Sequence, residues 1–471
     1  MAIDASSLSM TNFIRESNSP HSDGFQPHRY SLASLSKIYP ELHPNFTLSQ
    51  PPTFCTSLLM KYTLIFIITL LLGSTAVFGQ TKTLDDFVQQ AIKNSPLIKD
   101  LNNQVLAAQI DSVRIRAGFK PQVGLIAGGL YAPVIKGYGY SQAITNGQML
   151  NGQVVVSKSF IGKDYLKSQF AAIGLSQDSL RNSVKLSEQD LRRTIIGQYI
   201  TAYGSLQQQQ FNQEVVDLLV KEEGLLKKLT RNNVYRQSDY LTFLVTLKGA
   251  QLQLSQSKLQ YKTDFATLNY LSGIADTTLT DIAKPELPRS VVFDRSNSIF
   301  FKQYRIDSLR LANSRKLVDY SYRPKLSAFA DGGYNSDLMA GYYKNFGVSA
   351  GLSLTMPIYD GGQKKLAYKK LALEQETQQV YKAFNLNQYN QQVNQLNQQI
   401  NEYDKLIKEI NDQFKYSESL IKVNTQLMQT GDLKIADLIL AINSYLSIKN
   451  QLAQNTISRL QLINQLNYWS R

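Results

Sequence analysis

The chain has 471 residues, of which 43% are hydrophobic and 18% are charged, and its net charge is +14. This composition excludes an intrinsically disordered protein and is enough for two or three ordinary domains. The positive charge favours an anionic partner, such as a nucleic acid, a membrane surface or an acidic protein, without choosing among them.

Residues 60–79 have the pattern of a secretory signal peptide. Lys61 precedes an apolar run over 62–72, and the small residue Gly79 precedes Gln80. The run is too short to span a membrane, and a buried core helix is the alternative reading. A signal peptide belongs at a translation start. We therefore interpret residues 1–59 as a mis-called extension and expect the mature chain to begin at Gln80.

This interpretation limits the chemistry of the mature chain. All three histidines and the only cysteine (His21, His28, His43 and Cys55) precede Gln80. Without them the mature chain has no disulfide, no thiolate or imidazole metal ligand, and no Ser–His or Cys–His catalysis. We therefore predict no catalytic, cofactor or metal site and no enzyme activity.

The rest of the chain is a tandem repeat. The segment KPQVGLIAGGLY, which begins at Lys120, resembles RPKLSAFADGGY, which begins at Arg323. VVVSKSFIG aligns with LSLTMPIYD, and LNYLSG with LNYWSR, both at an offset of 198 residues. Self-similarity at a fixed period indicates duplicated structure. The predicted segments are repeat 1 over 80–274, a linker over 275–298, and repeat 2 over 299–471.

Each repeat has the same predicted order: helix, strand, loop, strand, very long helix and final helix. In repeat 1 we predict helices at about 84–117, 163–231 and 239–272, and strands at about 121–131 and 150–160. In repeat 2 we predict helices at about 299–320, 362–429 and 435–468, and strands at about 324–334 and 346–356. At 1.5 Å per residue each long helix spans roughly 100 Å.

The second long helix carries a regular apolar seam. The apolar positions follow spacings of 4, 3, 4, 3 and 4 residues, at Leu396, Ile400, Tyr403, Ile407, Ile410 and Phe414. This spacing predicts coiled-coil packing and argues against a prion-like, low-complexity segment. From their lengths, we also expect the final helix of repeat 1 and the opening helix of repeat 2 to stack end to end along one long helix.

The predicted strands are apolar on one face only. In 348–356 the apolar side chains of Val348, Leu352 and Leu354 alternate with Ser349 and Ser353. Such a strand suits a tilted transmembrane β-strand, and a half-buried soluble sheet is the alternative. Aromatic residues lie at the strand ends, as in an interfacial girdle: Tyr131, Tyr138, Tyr140, Phe160, Tyr334, Tyr342, Tyr343, Phe346 and Tyr359. Four strands cannot leave open edges in lipid, so a membrane barrel must be shared between chains.

Taken together, these segments resemble the TolC-type outer-membrane efflux factors. TLDDFVQQAIKNSPLIK is similar to the family's opening helix, LTMPIYDGGQKK to its strand-to-helix signature, and NTQLMQTGDLKIADLILAINSYL to its turn into the last helix. The resemblance implies a mixed, mainly α fold: a trimeric 12-strand outer-membrane β-barrel, four strands per chain, continuing into a long periplasmic α-helical coiled-coil barrel.

The resemblance also implies a role and partners. The expected protein is a homotrimeric exit duct of a tripartite efflux or type I secretion system in the outer membrane of a Gram-negative bacterium. It would dock a periplasmic adaptor protein and an inner-membrane transporter of RND, ABC or MFS type. It would contact outer-membrane lipid and no nucleic acid. The family exports drugs, metal ions or proteins, and the sequence does not choose among these.

The repeat and the resemblance both point to residues at the periplasmic tip. The 198-residue offset pairs Asn233 with Gly431, both able to adopt a left-handed turn, and Asp239 with Asp437. The position of Asp437 matches an aspartate that lines the family's aperture. Six such carboxylates in a trimer would favour cations. Alternatively, Asp239 and Asp437 only favour a helix N-terminus through its dipole.

This chain departs from the family pattern at two tip positions. The family's second aperture aspartate is replaced by Leu440, and its basic residue after the glycine is replaced by Leu433. We expect Asp432 to be an N-cap rather than part of a latch.

The strand-to-helix junction is the other predicted site. Asp360, Gly361 and Gly362, after Pro357, are interpreted as a hinge, because glycine tolerates the backbone angles of a sharp corner. In repeat 1 only Gly162 stands at the corresponding place.

Three other classes of function are weighed against a channel. A secreted trimeric coiled-coil structural protein or adhesin explains the heptads and the signal peptide but not the four alternating strands. A DNA-binding coiled coil conflicts with the signal peptide. An enzyme lacks histidine, cysteine and a convergent acidic cluster.

Overall fold

The structure, a computed structural model, describes residues 82–145, 147–276, 278–290, 298–339 and 341–470. All described residues belong to one compact unit, Gly79–Arg471. The expected extension over 1–59, the signal peptide over 60–79 and the start at Gln80 lie outside the described residues.

Repeat 1 contains five helices and two strands in its described part. Their bounds are α1 (Leu84–Asn94), α2 (Pro96–Gly118), β1 (Gln122–Tyr131), α3 (Gln142–Thr145), β2 (Gln148–Phe160), α4 (Lys163–Arg231) and α5 (Gln237–Leu271). The single predicted opening helix is wrong, because it is split between α1 and α2. Pro96 lacks an N–H and occupies the first turn of α2, and the Ser95 hydroxyl accepts the Ile98 N–H at 3.4 Å, so a new helix begins there.

Repeat 2 follows the same order without the split. Its elements are α6 (Ile299–Ser321), β3 (Lys325–Ser336), β4 (Phe346–Thr355), α7 (Gln363–Thr430) and α8 (Ile435–Trp469). A single 3₁₀ turn, Tyr342–Lys344, lies in the loop between the strands. Apart from the opening helix and two short loop helices, the predicted elements are confirmed to within two residues. Among the described residues, no helix combines the length and the hydropathy needed to cross a bilayer.

The four strands form one antiparallel sheet in the order β1-β2-β3-β4. Directly opposed residues have their side chains on the same face, so the register assigns each side chain of the strands to one of the two faces of the sheet. One face is mainly apolar and includes Val123, Leu125, Val154, Val156, Ala328, Ala330, Val348, Leu352 and Leu354. The other is mainly polar and includes Gln122, Asn151, Gln153, Ser157, Ser327, Asp331, Asn335, Ser349 and Ser353. The alternation predicted for β4 therefore extends across the whole sheet.

The polar face carries its own hydrogen bonds. The Ser349 hydroxyl donates to Asp331 Oδ2 at 2.5 Å, and the Gln153 amide donates to Asp331 Oδ1 at 3.3 Å. Phe329 lies over Gly351, where an added Cβ would be 2.6 Å from the ring. The glycine thus leaves room for an aromatic ring on the neighbouring strand.

The long helix α4 is the centre of the helical layer. It packs against α1, α2 and α5 on one side and against α6 and α8 on the other, and α7 packs against α6 and α8. At mid-height the fully buried Tyr199 of α4 contacts Phe87 of α1, with ring centroids 5.7 Å apart. Leu396 and Ile400 of the predicted seam are buried against Ile463 and Leu466 of α8. The coiled-coil interpretation of α7 is thereby confirmed.

The short helices do not stack as the sequence analysis expects. The end of α5 meets α1, where the Asn94 amide donates to the Gly273 carbonyl at 2.8 Å. The end of α8 meets the start of α6, where the Phe300 and Trp469 rings lie 4.8 Å apart. Each final helix therefore continues the opening helix of its own repeat, and the predicted stacking of one repeat on the other is wrong.

The linker between the repeats explains this arrangement, because it crosses the helical layer. Along it, Ile282 bridges to Lys82 and the Ala283 carbonyl accepts the Tyr199 hydroxyl at 2.7 Å. Further on, the Pro288 carbonyl accepts the Asn467 amide at 2.8 Å. Finally, Arg289 donates to Asn397 and Asn401 of α7 at 2.7 and 2.8 Å. The linker thus carries the chain sideways from α1 to α7, and α6 begins on the opposite side of α4 from α5.

Candidate functional site

The two turns at the far end of the helices are built alike. Asn233 and Gly431 have φ of 60° and 84°, the left-handed conformation that ends many helices. The Val234 N–H donates to the Leu229 carbonyl at 3.0 Å, and the Asp432 N–H to the Leu427 carbonyl at 3.1 Å. These bonds close the last turns of α4 and α7, so the chain reverses within a few residues in both repeats.

A hydrophobic cluster, here called the tip core, joins the two turns. Tyr235 and Leu433 are both buried in it, and both belong to turns. The Tyr235 hydroxyl donates to the Met428 carbonyl at 3.4 Å. The other buried members come from all four helices: Phe211, Val215, Leu219, Leu226, Phe243, Leu247, Ile421, Met428, Ile435, Leu438, Ala441 and Ile442. The tip core therefore couples the α4–α5 hairpin to the α7–α8 hairpin.

This role of Tyr235 and Leu433 was not predicted from the sequence. They are separated by 198 residues, the repeat offset, so an apolar side chain stands at the same turn position in both repeats. This repeated apolar position was the signal from which their burial could have been predicted. Leu433, considered only as a missing basic residue, instead packs in the tip core.

The prediction that Asp432 caps α8 is wrong. The helix begins at Ile435, and its N-cap position is Lys434, whose side chain makes no capping hydrogen bond. Asp432 is exposed and lies two residues earlier. Leu433 is buried in the tip core, so residue 433 still belongs to the turn. The helix therefore begins too late in the chain for Asp432 to cap it.

Asp239 and Asp437 occupy equivalent places, the third residue of α5 and of α8. The Arg236 N–H donates to Asp239 Oδ2 at 3.2 Å, so this carboxylate helps to cap its helix. Asp437 is exposed, as is Leu440 one turn later. In the described part of the chain no ion pair neutralises either aspartate, and no group of three or more His, Cys, Asp or Glu side chains is arranged to hold a metal.

A buried acid lies near the tip. The Glu222 side chain of α4 is 2% exposed and lines a groove between α4 and α7, with Lys221 beside it and Lys422 across the groove. Burial raises the pKa of Glu222 above its usual value, and Lys221 opposes that shift. The groove therefore lies between the α4–α5 hairpin and the α7–α8 hairpin.

The strand-to-helix junction of repeat 2 is a corner built on two left-handed glycines. Gly361 and Gly362 have φ of 65° and 85°, and no other group lies within 4 Å of where either Cβ would be. Asp360 accepts the Gly362 and Lys364 N–H groups at 2.9 and 2.8 Å. The Lys364 N–H first, then the Tyr322 hydroxyl and the Gly362 N–H, hold the pKa of Asp360 below its usual range. Pro357, two residues after β4, is exposed.

Repeat 1 makes its corner differently. Gly162 has φ of −60° and ψ of 142°, angles that any residue adopts. Gly361 and Gly362 therefore adopt angles that favour glycine, whereas Gly162 does not.

Comparison with known proteins identifies the fold. No protein-family model and no curated protein matches the sequence. Among solved structures, the outer membrane protein VceC from Vibrio cholerae is 14% identical, covers 82% of this chain and 96% of its own, and has a TM-score of 0.64. The MtrE outer membrane channel of Neisseria gonorrhoeae is 13% identical, with coverage of 82% and 88% and a TM-score of 0.65.

A third structure extends the match along the chain. The Campylobacter jejuni CmeC outer membrane channel is 10% identical, covers 91% of this chain and 94% of its own, and has a TM-score of 0.63. The chain therefore has the fold of these outer-membrane channels, as its resemblance to TolC-type proteins implies. The mainly α fold with a four-stranded antiparallel sheet is confirmed.

Proposed function

We propose that this protein is an outer-membrane channel, the exit duct of a tripartite efflux or type I secretion system. It conducts substrates passively and is not an enzyme. A signal peptide over 60–79 directs export of the chain, and the extension over 1–59 has no part in the mature protein. The fold that the chain shares with solved outer-membrane channels supports this role.

The sheet carries the proposal. Val348, Leu352 and Leu354, on its apolar face, are 90%, 73% and 70% exposed. So much exposed aliphatic surface on one sheet face is unfavourable in water and suits the hydrocarbon of a bilayer. The opposite face, with Asp331, Gln153 and Ser349, suits an aqueous lumen.

The edges of the sheet require further copies of the chain. β1 and β4 each pair with one strand only within the described residues. Unpaired backbone groups in lipid cost several kcal/mol each, so the two edges must pair with other strands. Three chains with four strands each give a closed barrel of about 12 strands, within the range of bacterial outer-membrane barrels.

The helical layer has matching open edges. On α7 an exposed apolar row repeats every seven residues at Leu366, Leu373 and Val380, and α2 exposes Leu106 and Ile110. In a homotrimer α7 of one protomer lies against α2 and α5 of the next, and the helices close into a tube. The tube continues the barrel into the periplasm.

The tip is the surface that faces the other components. There the tip core leaves α4 and α7 separated by an open groove, so the end of the tube offers helical grooves for a periplasmic adaptor protein. The adaptor joins the duct to an inner-membrane transporter, of RND, ABC or MFS type. The exported substrate is one of the classes that such systems carry: drugs, metal ions or proteins.

The aperture is the testable part of this function. We propose that Asp239 and Asp437 face the pore at the tip and form a ring of six carboxylates in the trimer. Asp239→Asn with Asp437→Asn removes this charge and keeps side-chain size. Cation selectivity in planar bilayers is expected to fall and block by multivalent cations to weaken, while the trimer stays intact.

Two further variants sharpen the experiment. Asp85→Asn with Asp281→Asn removes the same number of charges from exposed positions away from the tip, and its selectivity should equal that of the unmodified protein. Leu440→Asp adds a carboxylate one turn after Asp437 and should strengthen cation block. Intact trimers with unchanged selectivity in the tip variants would show that Asp239 and Asp437 act only on their helices. A water-soluble monomer without conductance would overturn the channel itself.

A further inference from the structure

The end of the helical layer that joins the sheet is strongly basic. The segments 111–120, 161–170, 315–325 and 360–370 contain 13 basic and four acidic residues, a net charge of +9 out of +14 for the chain. The loops at the other end of the sheet, 132–147 and 337–345, have a net charge of only +1. The charge is therefore concentrated at one end of the strands, in a zone here called the basic collar.

The collar's charges are accessible. Its exposed basic side chains are Arg114, Arg116, Lys120, Lys163, Lys167, Arg315, Lys316, Arg323, Lys325, Lys365, Lys369 and Lys370. Three of the collar's cations are paired within the protein: Arg114 with Asp111 at 3.0 Å, Lys364 with Asp319 at 3.3 Å, and Lys370 with Glu374 at 4.0 Å. Lys120, Lys163, Lys365 and Lys369 form no ion pair with any described residue, so most of the collar's charge is available to a ligand.

Aromatic rings hold several of the cations in place. The guanidinium carbons of Arg323, Arg315 and Arg116 lie 4.5, 5.2 and 5.4 Å from the ring centres of Tyr320, Tyr368 and Phe170. Lys364 lies 5.3 Å from the ring centre of Tyr322. Cations beside amphipathic rings are typical of the zone where a membrane protein leaves hydrocarbon for lipid headgroups.

The position of the collar selects its ligand. It begins where the exposed apolar face of the sheet ends, and Ile358 and Tyr359, between β4 and α7, are 92% and 89% exposed. A ligand that covers both surfaces must carry an anionic group next to hydrocarbon. Nucleic acid and free phosphate provide the anion only, whereas an anionic phospholipid provides both.

We propose that the basic collar binds the headgroups of anionic phospholipids in the leaflet on the helical side of the membrane. This inference rests on the proposed function, because headgroups reach the collar only if the sheet spans a bilayer. Each basic residue near an anionic surface strengthens binding about fivefold at moderate salt. The collar thus fixes how deep the strands sit and which way the protein faces.

The test uses the mature, detergent-solubilised protein and short-chain lipids. Dioctanoyl phosphatidylglycerol and dioctanoyl phosphatidylcholine are titrated separately, and the rise in melting temperature is measured against lipid concentration. The unmodified protein should bind phosphatidylglycerol at least tenfold more tightly. The triple variant K120Q/K365Q/K369Q should lose at least tenfold in that affinity while its binding of phosphatidylcholine is unchanged. Salt at about 0.5 M, well above physiological ionic strength, should weaken the preference similarly.

The control variant K248Q/K258Q/K262Q removes the same number of exposed charges from α5, away from the sheet, and should keep the preference. Equal binding of the two lipids, or an equal loss in both variants, would overturn the inference. Competition by millimolar inorganic phosphate without any lipid preference would assign the collar to a free anion and also overturn it.

Conductance in bilayers of pure phosphatidylcholine separates the two proposals. The unmodified protein and both lysine variants should all insert and conduct there. If they conduct and show no preference for phosphatidylglycerol, the lipid inference alone is wrong. If none inserts, the channel function is wrong and the collar inference falls with it.

Discussion

Replacement of Gly431 by alanine tests whether the tip turn depends on a left-handed residue. Gly431 has φ of 84°, and a Cβ added there would lie 2.8 Å from Val234 Cγ1, in the other tip turn. Alanine in the left-handed conformation costs about 1–2 kcal/mol, and the close contact adds to this unless Val234 moves. The substitution therefore strains both turns and the tip core between them.

The expected effect is local and can be measured by hydrogen exchange. The Asp432 amide is protected by its bond to the Leu427 carbonyl. A loss of about 1–2 kcal/mol raises the population of the open turn, and hence the exchange rate of this amide, by a factor of about 5–30. Peptides from the middle of α7 should exchange as in the unmodified protein.

The double variant V234A/G431A separates the two causes. It relieves the contact but not the backbone conformation, so it should recover only part of the protection. At the equivalent turn, Asn233→Gly should leave exchange unchanged or slow it, because asparagine already occupies a left-handed conformation that glycine adopts more readily. Wild-type exchange rates in G431A would refute the reasoning, as would full recovery in the double variant.

Two further predictions concern packing and pH. Ile400→Ala, in the buried α7–α8 seam, should destabilise the protein by about 2–5 kcal/mol in denaturant unfolding, whereas Leu406→Ala, at an exposed position of the same helix, should change stability by less than about 0.5 kcal/mol. The pKa of Glu222 is raised in the folded state, so folding favours the protonated carboxyl. The stabilisation that Glu222 provides is therefore fully present below its unfolded-state pKa of about 4.3, and it is lost as the pH rises through its folded-state pKa. The difference in melting temperature between the unmodified protein and E222Q should therefore decrease as the pH rises from about 4 to about 8. The corresponding difference for E409Q, at an exposed position, should not change with pH. A constant difference for E222Q would mean that Glu222 is solvated.

The elements were predictable because their signals are local. The heptad spacing through Leu396 and Ile400 gives the helical period, and Asp360 with Gly361 marks where α7 begins. The split between α1 and α2 was visible in the Ser95–Pro96 pair, which is a helix start as well as a helix end. All of these signals are short-range, and the structure agrees with them to within two residues.

What sequence reasoning did not provide depends on distant partners. The linker crosses the helical layer because Tyr199 and Asn467 donate to backbone carbonyls far away in sequence. Asp432 was mistaken for an N-cap because burial of the next residue, Leu433, is a property of the assembled tip core. Where Asp239 and Asp437 point relative to a pore depends on neighbouring chains, and this remains a prediction.

The pairing of β2 with β3 has a consequence for the order in which the protein forms. The loop that this pairing closes, from Phe160 to Lys325, is about ten times longer than the loop of the β1–β2 hairpin. In a disordered chain the longer closure costs about 2 kcal/mol more entropy. The helices α4, α5 and α6 pack together and bring the start of β3 next to β2. The chain entropy of closing this long loop is therefore lost when the helices assemble. We therefore expect the helical layer to act as the template for the sheet, with the two hairpins joining only after the helices have packed.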